Sequence, residues 1–136
     1  MEIIGDLNIT KGIVTESGNY IINIPSGGSL TEEDCSGNIL NTYGQTDDMT
    51  VSIPSPSSGR LSFILTVGTT IDNYIHIDPD VNTPIYLRGE TTGDGKYVGI
   101  DSAVTGFAIS FITIQVSASK FAWLAADNTG DWTLEA

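Results

Sequence analysis

The chain has 136 residues, 15 of them glycine, with 40% apolar residues and a formal net charge of −12. That length fits one domain, and that apolar share excludes a disordered acidic tail. Five basic residues against seventeen acidic ones make nucleic acid a poor partner, because phosphate binding needs clustered Lys and Arg. Anionic membrane surfaces are disfavoured for the same reason. No apolar run approaches the ~18 residues of a membrane span, so no membrane insertion is expected. The acidic surface itself is explained by solubility.

In chain order, short strands are predicted at 3–4, 7–10 and 13–15. The first strong one covers 20–24, YIINI, rich in β-branched residues and stopped by Pro25-Ser26-Gly27-Gly28. Residues 29–35 form the one expected helix. Ser29 is placed to cap it, Glu32 completes a capping box three residues on, and Gly37 ends it. Strand character returns at 38–43. Met49, Val51 and Ile53 then alternate cleanly and share one face. Pro54 and Pro56 force a loop.

Residues 61–67 are apolar on both faces, as expected deep in a sandwich or barrel. Short strands follow at 74–77 and 84–87. Gly93-Asp94-Gly95 reads as a hairpin turn leading to a partner strand at 96–100. The longest strand covers 108–116. Ile109 and Phe111 share one parity there, while Ile112, Ile114 and Val116 share the other. A β-bulge near Phe111-Ile112 explains this, as does burial of both faces. A strand holding Phe121 and Trp123, a turn at 127–130 and a last strand at 132–134 complete the chain. One internal echo is visible: an Ile-Pro-Ser follows a strand at Ile24 and again at Ile53. Two copies are too few for a solenoid, and a shared strand-exit turn explains them equally well.

The fold class predicted is therefore all-β, an antiparallel β-sandwich or jelly-roll-like barrel with one short helix in the N-terminal half. Residues 1–28 form a strand-rich segment packed on or linking to a sandwich domain at 29–136.

Reactive chemistry is sparse. Cys35 is the only cysteine, so no internal disulfide forms. His76 lies in an alternating strand and reads as a strand residue with a local hydrogen bond. A lone His and a lone Cys do not build a zinc site without several carboxylates. Asp78, Asp80 and Asn82 resemble the start of a calcium loop. Thr83 then stands where that loop needs Gly, and Gly89 where it needs Glu, so a polar turn is the better reading. Asp47, Asp48 and Asp94 lie in turns, which does not make a glycosidase pair. No phosphate loop exists around Lys96. Neither a catalytic residue, a metal nor a cofactor is predicted, and the chain is not read as an enzyme.

The aromatic residues remain. Trp123, Phe121 and Phe111 are predicted core anchors. Trp132, Tyr86 and Tyr97 are candidate binding or interface residues, where ring faces stack on a sugar or on a neighbouring subunit. Trp132 is the better candidate of the two tryptophans for contact outside the domain.

From Leu30 onward the chain resembles small β-rich domains of tailed-phage and prophage virion proteins, tail fibres among them. The stretches that carry the resemblance are LTEEDCSGNILNTYGQTDD, VSIPSPSSGRLSFILTVG, NYIHIDP with IYLRGETTGDGKYVGI, and AISFITIQVSASKFAWLAADNTGDWT. The resemblance implies a virion structural protein that acts by oligomeric assembly, as a tail-fibre or tip component. It implies a homotrimer, contact with other virion proteins, and synthesis in a host bacterial cytoplasm before residence in the virion. It carries no catalytic residue. Fibre proteins usually hold a long shaft before such a domain, whereas here a short segment precedes it. The chain is then either a terminal fragment or a small complete virion protein, the latter fitting a capsid decoration protein. A domain binding a host-surface glycan or receptor is the further alternative.

Overall fold

The computed structural model describes residues 21–68 and 72–135. The expected strands at 3–4, 7–10 and 13–15 lie outside the described residues, as does Tyr20. Twelve strands are described: β1 (Ile21–Asn23), β2 (Gly28–Ser29), β3 (Ser36–Asn41), β4 (Met49–Ser52), β5 (Ser62–Thr66), β6 (Ile75–Asp78), β7 (Ile85–Leu87), β8 (Glu90–Thr91), β9 (Val98–Ile100), β10 (Ala108–Ser117), β11 (Lys120–Thr129) and β12 (Thr133–Leu134). They form a seven-stranded sheet A, in the order β1-β3-β5-β10-β11-β7-β8. A five-stranded sheet B has the order β12-β9-β6-β4-β2. The all-β expectation holds, and the two sheets enclose one core.

The chain winds rather than zigzags. Its first six strands alternate between the sheets, and each of the first four pairs in parallel with the strand two places on: β1 with β3 and β3 with β5, β2 with β4 and β4 with β6. These are three coils of a flattened parallel β-solenoid. The remaining strands close it, and the β10–β11 hairpin lies antiparallel against β5. The pairing is thus mixed, which corrects the antiparallel pairing expected from sequence, while the two sheets are consistent with the expected sandwich. Apolar alternation marks the faces of a strand but is blind to the direction of its neighbour. The Ile-Pro-Ser echo is also clarified. Ile24-Pro25-Ser26 leaves sheet A and Ile53-Pro54-Ser55 leaves sheet B, so the two are exits from opposite sheets and not one repeat position. The boundary drawn after residue 28 runs through β2, and residues 21–29 belong to the first coil.

In-register ladders of apolar side chains fill the core. Ile22, Leu40, Leu65 and Ile109 line up across sheet A. Val51, Ile77 and Val98 line up across sheet B. At the centre Phe63 stacks on Phe111 at 4.9 Å, and Trp123 meets Phe63 edge-on at 5.4 Å. Trp123 is fully buried and its indole N–H donates to the Pro54 carbonyl at 2.8 Å. Trp123 and Phe111 are the expected core anchors. Phe121 is not: it is half-buried beside Gly59 and outside the main core cluster.

No helix occurs among the described residues. Residues 29–35 hold a single turn, in which the Cys35 amide donates to the Thr31 carbonyl. Its capping box is shifted by two residues. The Asp34 amide donates to Thr31 Oγ1 at 3.3 Å, and the Thr31 amide donates back to Asp34 Oδ2 at 2.9 Å. Glu32, freed from capping, accepts from the Ser57 amide and hydroxyl instead. Ser29 is drawn into β2, so the residue expected to start a helix ends a strand.

The hairpin expected at 93–95 is also elsewhere. Arg88 and Gly89 both adopt positive φ, 51° and 82°, and form the two-residue turn between β7 and β8. The turn at 93–96 instead carries the chain across to sheet B, where β9 pairs with β6 and β12.

Candidate functional site: two outer faces

The outer faces of the two sheets differ in chemistry. On sheet A, the adjacent strands β1, β3, β5 and β10 read IIN, SGNILN, SFILT and AISFITIQVS, without one charged residue. In a chain of net charge −12 this is a marked segregation. The face is apolar as well. Ile21 is 63% exposed, and Ile64, Ile112 and Val116 are close to 40%. Half-buried Ile39, Ile114, Leu124 and Tyr86 join them. Soluble sheets facing water normally alternate apolar-in with polar-out. Here aliphatic side chains share the outer positions with uncharged polar ones, Asn23, Asn41, Ser62, Thr66 and Ser110.

The β10 pattern comes from neither a bulge in β10 at Phe111-Ile112 nor burial of both faces. Ile109, Phe111 and Thr113 all point into the core, while Ile112 and Ile114 lie on the outer face and exposed Val116 sits at a second bulge, in β10 itself. A bulge does occur at this level, but it is on the partner strand. Ser110 pairs with Asp127 and Phe111 with Ala125, which leaves Ala126 as the extra residue in β11. The second apolar phase of β10 is therefore a real outward stripe.

Sheet B carries an aromatic ladder outside. His76 is sandwiched between Tyr74 and Tyr97, with ring centroids 3.9 and 3.8 Å away and planes within 18° and 10° of parallel. Gly99 makes this possible. A Cβ at that position would lie 2.6 Å from His76 Cδ2 and 3.0 Å from Tyr97 Cε1. The Tyr97 amide donates to Glu135 Oε1 at 2.9 Å, and Lys96 Nζ lies 3.8 Å from Glu135 Oε2. Burial pushes the His76 imidazole below its usual 6.5, and this outweighs the opposing carboxylates of Asp101, Glu135, Asp78 and Asp48. Burial, then the Glu135 charge, raises the Asp78 carboxyl, with His76 opposing.

One consequence is measurable. Unfolded His76 titrates near 6.5 and folded His76 lower, so between those values the unfolded chain binds more protons. Stability is expected to fall as pH drops below 6.5, down to the folded pKa. A proton NMR titration of His76 should give a midpoint below 6.5. His76→Phe, which retains a ring between the tyrosines, should remove that part of the pH slope in urea melts.

The three candidate binding residues do not converge. Tyr86 lies on sheet A and Tyr97 beside sheet B. Trp132 is 1% exposed and belongs to the core, which corrects its reading as a rim residue. Its indole N–H donates to the Thr129 carbonyl, and its own carbonyl accepts from Arg88. The pairing of β12 with β9 holds the residues after Trp132 on sheet B. A position near the chain end gave no hint of that.

The turn once compared with a calcium loop is tied up by its own backbone. Asp80 Oδ2 accepts from the Asn82 amide at 3.3 Å, and its carbonyl accepts from the Thr83 amide. No group of three or more His, Cys, Asp or Glu able to hold a metal occurs among the described residues. Cys35 is buried, and burial, aided by Asp34 and Glu32, pushes its thiol up to about 12. A thiol so protonated at neutral pH is a poor nucleophile.

No known family model matches the chain, and no curated protein matches it.

Proposed function

We propose that this chain is a structural protein of a phage or prophage virion, a tail-fibre or tip component that acts by oligomeric assembly and not by catalysis. The observation that carries the assembly part is the charge-free run of β1, β3, β5 and β10 in sheet A, with exposed Ile21, Ile64, Ile112 and Val116. Contiguous exposed apolar surface marks an interaction site, since burial of such area is worth about 25 cal/mol per Å². The virion setting rests on the resemblance of the four sequence stretches given above. The homotrimer is part of the same reading.

Multi-angle light scattering at micromolar concentration tests it. A trimer of the 14.4 kDa chain is the expected result. A monomer across that range would sink the assembly reading.

A carbohydrate- or host-receptor-binding role has one specific observation in its favour, the Tyr74–His76–Tyr97 ladder flanked by Asp78 and Glu135 on the opposite face. In an assembly held through sheet A, that face stays outward. A glycan array probed with the assembled protein separates this role from a purely architectural one.

A further inference from the structure

The outer face of sheet A has a relief as well as a polarity. β5 and β10 run antiparallel at its centre, with Ile64 directly opposite Ser110 and Ser62 directly opposite Ile112. The two large side chains therefore lie on one diagonal and the two small ones on the other. A hollow of about 220 Å³ is lined by these four residues, with Gly37 and Asn38 at its margin. Ile64 and Ile112 stand beside it, each 40% exposed. Knobs and hollow thus occupy one patch.

We infer that this patch is the contact between copies of the chain: Ile64 or Ile112 of one copy seats in the Ser62–Ser110 hollow of the next. The inference rests on the assembly reading and gives it a partner and a place. Two features favour a second copy over another partner. The first is charge. Two copies of net charge −12 repel wherever their carboxylates meet, and β1, β3, β5 and β10 carry none, the nearest on β11 being Asp127 opposite Ser110. A basic partner would find no carboxylate on these strands to pair with. The second is shape. One patch, an Ile/Ser checkerboard, carries both the projecting isoleucines and the hollow, so each copy gives a side chain to one neighbour and takes one from the other, as a ring of three requires. Seating the isoleucines removes from water the side chains that the fold of one chain leaves wet. It also closes the hollow, so the gain is largest at the centre, where interface energy concentrates.

Ile112→Asp puts a charge at that centre without touching the core. The apparent dissociation constant should rise at least roughly thirtyfold, turning an oligomer into a monomer at micromolar concentration while the far-ultraviolet circular dichroism is unchanged. A second arm does not depend on that variant folding. Ile112→Cys should form intermolecular disulfides under mild oxidation, seen as cross-linked species on a non-reducing gel. Thr50→Cys, exposed on β4 of sheet B, should not. Buried Cys35 stays out of this reaction. If wild type is oligomeric, and folded Ile112→Asp remains so or Thr50→Cys cross-links as readily as Ile112→Cys, the contact is elsewhere and only this inference falls. If wild type is monomeric, the assembly reading falls with it and the face has a different occupant.

Discussion

Trp123→Ala is expected to lower stability by about 3–5 kcal/mol, the usual cost of emptying a large aromatic site in a packed core. For a domain near this size that is a fall of roughly 10–20 °C in the thermal midpoint. Three losses combine. The ring is fully buried. It meets Phe63 and Phe111 edge-on, at 5.4 and 6.4 Å, so its removal unsupports the stacked pair at the centre of sheet A. It also spans the sandwich: β11 carries the ring and the loop after β4 receives its N–H, at the Pro54 carbonyl. Trp123→Phe separates these effects. It retains most of the apolar burial and leaves that carbonyl without its donor, which costs about 1–3 kcal/mol. Differential scanning calorimetry on both variants checks the order. A Trp123→Ala midpoint within 2 °C, roughly, of wild type would mean the ring is not packed as described.

Gly27→Ala is expected to be nearly as damaging, at about 2–4 kcal/mol, although it adds only a methyl group. Gly27 forms the corner where the chain leaves sheet A for sheet B, and its amide donates to the Ile24 carbonyl. Its φ is +73°, where a Cβ crowds the backbone. A Cβ there would also run into the carbonyl oxygen of Thr50 on β4. That oxygen belongs to the next coil and cannot rotate aside as a side chain could. Gly89 is the control. It has φ +82° with open space around it, so Gly89→Ala reports the backbone strain alone, about 1–2 kcal/mol. If urea melts give the two variants equal losses, coil-to-coil contact at Gly27 is not what the fold depends on.

The assembly face shows how a site can be half visible in a sequence. The stripe of Ile112, Ile114 and Val116 was present as a second apolar phase in β10. A bulge in β10 or burial of both faces was expected to explain it, but the bulge lies in β11 and the stripe is exposed. The checkerboard was not visible at all. It requires Ile64 to stand opposite Ser110, and that register is set by tertiary pairing between distant strands. The Tyr74–His76–Tyr97 ladder was hidden for the same reason. Tyr74 and His76 share a face by alternation, but Tyr97 arrives only because β9 crosses to sheet B instead of closing a hairpin.

The sequence by itself determined the all-β composition, the places of most strands, the Pro- and Gly-marked breaks, and the burial of Trp123 and Phe111. Those are local matters: β-branched alternation selects extended backbone, and a large ring on a strand's apolar face goes inward. Only the tertiary structure decided that the early strands pair in parallel as coils, that Trp132 is buried, that Thr31 and Asp34 take the capping role expected of Ser29 and Glu32, and which apolar stripe of β10 stays in water. A strand's side chains alternate identically whatever lies beside it. Direction, partner and register are therefore fixed by contacts far apart in the chain, where the Ile-Ser pattern of sheet A first takes its shape.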